Sequence, residues 1–218
     1  MSVADRLARI RADLAEEMRS CGRTDAVRLL AVTKRQSREA VCEAIAAGVG
    51  DIGENYVQEA AAKFAGLPPV RRHFIGHLQT NKARAVAAAF DVVQSVDRPE
   101  AAAALAKAAG LLGKRLTVLL QVNVSPSERF GAPADGAERL ADAIRGHESL
   151  LLDGVMAIGP ITEDRGEITR AFSLAAMTFA RVGGTTLSIG MSGDWREAVR
   201  AGSTMLRIGT ALFGPRTA

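Results

Sequence analysis

Leu116-Thr117-Val118-Leu119-Leu120-Gln121-Val122-Asn123-Val124 is a nearly continuous apolar run without a polar face. A strand half-exposed to water would alternate apolar and polar residues. A run of this kind belongs to a strand covered on both sides, as in a parallel sheet. Similar β-rich runs lie at Arg28–Lys34, Asp51–Glu54, His73–His77, Val92–Val96, Gly154–Ile158, Thr186–Met191 and Met205–Phe213, which with Thr117–Val124 makes eight. Ala-rich, charge-studded stretches at 37–47, 56–65, 81–90, 98–110, 134–147, 166–182 and 194–201 separate them and read as helices. Leu7, Ile10, Leu14 and Met18 recur at helical spacing and predict an amphipathic opening helix over 3–20.

Eight such runs with helical connections predict an α/β chain folded as a single (β/α)8 TIM-type barrel with an extra N-terminal helix. One domain spans 1–218, with residues 1–22 packed on the barrel. The alternative is an open doubly wound sheet, which usually carries G-x-G-x-x-G after its first strand. Here the first strand leads into Thr33-Lys34-Arg35-Gln36, which contains no glycine.

Composition narrows the class of function. Net charge is +4, but Arg is scattered from Arg6 to Arg216, and aromatic residues make up only 4%. Nucleic-acid binders concentrate basic residues into a patch with aromatics between them, so nucleic acid is not an expected partner. Two cysteines, Cys21 and Cys42, have no metal-type spacing and read as reduced thiols. No apolar run is long enough to cross a bilayer, and residues 1–18 lack the apolar centre of a secretion signal. The expectation is a cytoplasmic protein with no membrane partner. The low aromatic content, with no apolar surface stripe, points to a monomer.

Barrel enzymes build their sites at the C-terminal ends of the strands. Lys34 stands there, after Leu29-Leu30-Ala31-Val32-Thr33. A lysine at that position serves Schiff-base chemistry when desolvation or a neighbouring cation supplies the neutral amine. The same lysine also reads as a surface residue opening the next helix. Gly190-Met191-Ser192-Gly193-Asp194 follows the seventh strand, and Arg207-Ile208-Gly209-Thr210 lies in the eighth. Glycines let backbone approach a phosphate, hydroxyls add donors, and barrels often bind phosphate after strands 7 and 8. Taken singly, each would be only a tight turn.

Arg207, between Leu206 and Ile208, is costly inside an apolar strand unless it has a partner. It meets either a carboxylate such as Glu54 or a ligand ring nitrogen. Asn55 serves either as a helix cap or as a ligand contact. His73 and His77 flank the third strand, with no carboxylate cluster in register to make a metal site. Ser125–Gly136 and Gly159–Gly166 are loops on the site face, each either a lid or a plain connection.

A strand-end lysine, paired phosphate turns and an arginine for a pyridine nitrogen fit pyridoxal 5′-phosphate. Longer motifs carry a family resemblance. They are Ala31-Val32-Thr33-Lys34, Gly53-Glu54-Asn55-Tyr56-Val57-Gln58-Glu59, His73-Phe74-Ile75-Gly76, Leu78-Gln79-Thr80-Asn81-Lys82, Ser188-Ile189-Gly190-Met191-Ser192 and Gly202–Thr210. In these the chain resembles the pyridoxal phosphate homeostasis proteins, whose barrel is similar to the N-terminal domain of alanine racemase. The resemblance implies that Lys34 holds the cofactor as a Schiff base. It implies that Ser192, Gly209 and Thr210 take the phosphate with the Met191 backbone nearby. Arg207 would face the pyridine nitrogen, and Asn55 the side of the ring. The sequence departs from the family at His77, where a proline is common, and at Arg129-Phe130-Gly131, where a lysine usually precedes the glycine.

Three functions use such a site. The first is a non-catalytic carrier for pyridoxal phosphate homeostasis, with cofactor-dependent apo-enzymes as recipients. Arginine opposite the pyridine nitrogen disfavours ring protonation and weakens the electron sink. The chain ends just after the eighth strand, so the further domain that racemases of this fold carry is not expected. Tyr56 is the only tyrosine. The second is a racemase-like enzyme, with His77 as the base opposite Lys34. The third is a Schiff-base aldolase for a phosphorylated sugar. The carrier is the expectation.

Overall fold

The computed structural model describes residues 1–125 and 130–214. Its eight strands form a closed barrel in sequence order. They are β1 (Arg28–Val32), β2 (Asp51–Glu54), β3 (Arg71–Phe74), β4 (Val92–Val96), β5 (Leu116–Val122), β6 (Leu150–Ala157), β7 (Thr186–Ser188) and β8 (Met205–Ile208). Every pairing is parallel, and β1 returns to β8 with Arg28 to Ala31 beside Met205 to Ile208. The expected (β/α)8 architecture is therefore present.

The helices are α1 (Val3–Ser20), α2 (Arg38–Ala46), α3 (Val57–Phe64), α4 (Ala83–Ala89), α5 (Pro99–Leu111), α6 (Ala137–Arg145), α7 (Arg165–Val182), α8 (Trp195–Arg200) and α9 (Thr210–Phe213). A 3-10 turn, Thr80–Lys82, leads into α4. β2 and β4 match their sequence runs, whereas the other six strands end earlier than expected. Arg207-Ile208 ends β8, and the apolar Ala211-Leu212-Phe213 is helical. Periodicity cannot separate a short apolar helix from a buried strand. β7 stops at Ser188 because Gly190, at φ +92°, turns the chain. β3 and β6 begin earlier than expected, at Arg71 and Leu150.

The main core lies between strands and helices. Val93, Val118, Leu120, Val155 and Leu187 meet helix residues such as Val86, Leu105, Ile144, Phe172 and Ala175 there. Small residues dominate the helix faces, so short helices approach the sheet closely. In α5, Ala101, Ala102, Leu105, Ala106, Ala108 and Ala109 are buried.

Helix α1 starts with a capping box. Ser2 Oγ accepts from the Asp5 N–H at 3.1 Å, and Asp5 Oδ2 accepts from the Ser2 N–H at 2.9 Å. Val3, Leu7 and Leu14 join the core cluster. At the far end the buried Glu17 accepts from Arg196 Nη1 at 2.9 Å and from Arg200 Nε at 2.7 Å, which ties α1 to α8.

Burial pushes the Glu17 carboxyl up, but the two arginines outweigh it and hold it below the usual carboxylate range. The folded state thus binds this proton less readily than the unfolded chain. Its contribution to stability is present above about pH 4.3 and is lost as pH falls through the depressed folded value. Thermal melts of Glu17→Gln should lie below the parent at pH 7, and the gap should narrow as the pH is lowered toward 3. A gap independent of pH would contradict this account.

Candidate functional site

Lys34 lies two residues beyond β1, in a turn closed by the Gln36 N–H on the Thr33 carbonyl at 3.0 Å. Arg35 has φ +59° and is the one non-glycine residue with positive φ among the described residues. That conformation costs a branched or long side chain about 1 kcal/mol or more, so the surroundings must enforce it. Helix α3 does so. Glu59 Oε1 accepts from the Arg35 N–H at 2.6 Å. Lys63 Nζ donates to the Thr33 carbonyl at 2.6 Å and to the Glu54 and Glu59 carboxylates at 2.8 Å each. The backbone on both sides of Lys34 is therefore pinned by one helix.

Glu54 and Lys63 are both buried. Burial pushes the Glu54 carboxyl up, and the opposing pull of Lys63 does not fully compensate. Thr33 Oγ1 donates to the same Glu54 oxygen at 2.9 Å. A buried charge of this kind is tolerable because it is paired and hydrogen-bonded.

Beside Lys34, across the seam where β1 pairs with β8, are the ends of β8 and of its neighbour β7. Gly190 is required at its turn, because a Cβ there would stand 2.4 Å from Ala198 Cβ. The chain then passes through Met191, Ser192 and Gly193 to Asp194. The buried Asp194 accepts from the Met191 N–H and so shapes the turn. Burial pushes its carboxyl up, with the Met191 N–H and Arg207 acting against it. Gly209 follows β8, and Thr210 begins α9, whose first N–H groups have no partner within the helix.

Arg207 is buried at 4% exposure. Its Nη1 donates to the Ser188 carbonyl at 2.6 Å and Ser188 Oγ at 2.9 Å, and Nη2 donates to the Ala157 carbonyl at 2.8 Å. A guanidinium has five N–H donors, so two remain for a ligand. Burial pulls Arg207 down to about 10, with Asp194 opposing, so it stays charged at neutral pH. The Glu54 partnership considered for Arg207 is not formed. Glu54 belongs to Lys63 and Thr33 instead.

Lys34, Met191, Ser192, Arg207, Gly209 and Thr210 all line one half-open cleft of about 220 Å³. The barrel thus gathers six expected residues from both ends of the chain. Asn55 is not among the lining residues. It does not cap α3 either, since Tyr56 is at that position, and its Oδ1 is a buried acceptor without a donor among the described residues. His77 also lies outside the cleft lining. Its ring stacks on Phe130 at 3.7 Å between centroids, and its Nδ1 is 3.8 Å from Asp97.

The loop after β5 folds back on its strand. The Asn123 N–H donates to the Ala132 carbonyl at 2.9 Å, and Gln121 Nε2 donates to the Phe130 carbonyl at 2.8 Å. Arg129, where the family usually has a lysine, lies outside the described residues.

Sequence reading missed Lys63 and Asp194. Glu59 and Lys63 at i,i+4 on a helix were a visible pair. Nothing local pointed to Glu54 as the third member. Asp194 had the appearance of an ordinary helix-start residue.

The donor set suits a phosphorylated aldehyde with a basic ring: an amine, a hydroxyl-rich turn pair and a buried cation. Comparison with known proteins agrees. Residues 6–217 match the family described as "Alanine racemase, N-terminal domain". The chain is 42% identical to the pyridoxal phosphate homeostasis protein of Pseudomonas aeruginosa, over 99% of this chain and 96% of that one. It is 38% identical to the protein of that name in Escherichia coli, over 98% and 97%. Among solved structures it is similar to PipY of Synechococcus elongatus with PLP bound, with a TM-score of 0.87, 35% identity and coverage of 98% and 100%. An alanine racemase from Clostridium difficile shares the fold at a TM-score of 0.72 and 12% identity, over 94% of this chain and 56% of that one. By motif, barrel and full-length similarity, this chain belongs to the pyridoxal phosphate homeostasis protein family.

Proposed function

We propose that the protein binds pyridoxal 5′-phosphate in the Lys34 cleft and serves pyridoxal phosphate homeostasis as a carrier, without turning over a substrate. The observation that carries this reading is the convergence of Lys34, Ser192, Gly209, Thr210 and Arg207 on one cleft. When bound, the cofactor supplies an aldehyde that condenses with an amine and a conjugated ring that absorbs visible light.

Lys34 would hold the cofactor through its amine, with the backbone on either side of it fixed by Lys63 and Glu59. Ser192 and Thr210 hydroxyls, with the backbone at Gly209, take the phosphate. Met191 contributes the rim of the cleft, because its N–H is committed to Asp194. Arg207 would offer its remaining donors to the pyridine nitrogen, where its charge would oppose a proton. Asn55 offers its buried Oδ1 from the β2 side.

The chain acts as one cofactor-binding domain. The two free cysteines fit a reducing compartment, and we place the protein in the cytoplasm. No helix among the described residues is long and apolar enough to cross a membrane. The reading takes apo-enzymes that require the cofactor as its recipients, the monomer as its working form and no nucleic acid as a partner.

Mixing the protein with pyridoxal phosphate should produce an absorbance band at about 420 nm that is absent in Lys34→Ala. A saturated parent that shows no such band once unbound cofactor has been removed would overturn the cofactor assignment. Ser192→Ala and Thr210→Ala should each weaken pyridoxal phosphate binding about tenfold, since each removes a bond to a charged group. Both should leave the weaker binding of unphosphorylated pyridoxal unchanged. Equal losses for the two ligands would remove these residues from the phosphate site. In deuterium oxide, Lys34-dependent exchange at Cα of free amino acids at enzymic rates would sink the carrier reading.

A further inference from the structure

The barrel interior contains a line of polar side chains that reaches Arg207 from below. Barrel interiors are usually packed with branched apolar residues. Here His73, Gln94, Ser188 and Arg207 are all buried. Gln94 lies on β4, while Ser188 and Met205 lie on β7 and β8. β4 and β8 stand opposite each other in the ring, so contacts from Gln94 to Ser188 and Met205 cross the lumen.

The bonds have one direction. Arg207 can only donate, so it fills a lone pair of Ser188 Oγ at 2.9 Å. The Ser188 hydroxyl donates to Gln94 Oε1 at 2.8 Å. Gln94 Nε2 then faces His73 Nδ1 at 2.9 Å and donates to it. That ring nitrogen must be unprotonated, and the proton sits on Nε2, which donates to Asp51 Oδ1 at 2.7 Å. Asp51 opens β2 at the other end of the barrel, 3.8 Å from Arg28 Nη1. Burial holds His73 below its usual value, with Asp51 opposing, which keeps the ring neutral.

We propose that Gln94 and His73 are positioning residues for the cofactor ring: acting through Ser188, they fix how Arg207 presents its two remaining N–H donors to the pyridine nitrogen. This rests on the cofactor reading above. Without an acceptor at Gln94, the Ser188 hydroxyl is free to rotate, and its proton competes with the arginine for the same space. His73, held by Asp51, sets which end of the Gln94 amide faces Ser188. An apolar residue at 94 would fill the lumen equally well but would not orient the arginine.

The test compares the parent, Gln94→Leu, Gln94→Glu, Ser188→Ala and the Gln94→Leu/Ser188→Ala double variant. For each, the dissociation constant for pyridoxal phosphate, the position of the visible band and the melting temperature without cofactor are measured. Gln94→Leu and Ser188→Ala are expected to weaken binding by about tenfold each and to displace the band. The double variant should lose no more than either single one, because both cut the same chain. Gln94→Glu keeps an oxygen for Ser188 but loses the N–H that donates to His73 Nδ1, so it too should displace the band, and a parent-like band in it would remove His73 from the chain. Long-range ¹H–¹⁵N spectra of the cofactor-free parent should show His73 as the Nε2–H tautomer at neutral pH.

A folded Gln94→Leu protein with the parent's affinity and band overturns the proposal, as do losses that add in the double variant. If Gln94→Leu does not fold, Ser188→Ala and the His73 tautomer decide the matter alone. An Nδ1–H or doubly protonated His73 contradicts the direction of the chain. A parent that keeps no visible band once unbound cofactor is removed overturns the cofactor reading and the proposal with it, whereas a parent that keeps the band, with unaffected variants, overturns the proposal only.

Discussion

The pairing of β1 with β8 is the contact on which the molecule depends. Leu30 lies beside Arg207 and Ala31 beside Ile208 in the closing register. Only this closure brings Lys34, near the start of the chain, against Gly209 and Thr210 near its end. A shift of one residue would exchange inward and outward side chains along β8. Arg207 would then leave the lumen, and the cleft would lose its cation.

Closure also explains how the site is kept rigid. Lys34 sits in a turn whose one strained residue, Arg35, is held by Glu59, and Lys63 holds the preceding carbonyl. On the other side, Asp194 fastens the Met191 turn and Ser188 fastens Arg207. The Lys34 turn, the Met191 turn and Arg207 are thus each supported by a residue outside the cleft lining. Such backing is what holds a binding geometry to within a fraction of an ångström. A site held in this way leaves little ordering to be done when a ligand enters.

The local readings that succeeded rest on short-range physics. The apolar runs at Val92–Val96 and Leu116–Val122 are strands because both of their faces are covered. The Ser2 cap and the spacing of Leu7 and Leu14 place α1 where the pattern predicts it. Errors fell where two local signals agree with more than one structure. Ala211-Leu212-Phe213 is apolar enough for a strand, yet it forms a short helix, since the β-ladder has no partner for it beyond Ile208. Arg207 and Glu54 have opposite charge and similar depth, yet each is satisfied elsewhere.

The sequence by itself determined the strand count, the order of elements, the lysine after the first strand and the glycine-hydroxyl turns after the last two. These follow from periodicity, glycine content and motif, which are properties of neighbouring residues. The tertiary structure alone decided which side chains pair inside the barrel. Lys63 with Glu54 joins α3 to β2, and the line from Asp51 through His73, Gln94 and Ser188 to Arg207 joins residues on different strands. A buried polar group must find a partner, but sequence does not say which of several will be within reach. Ring closure supplies that answer, since it alone sets which strands face each other across the lumen.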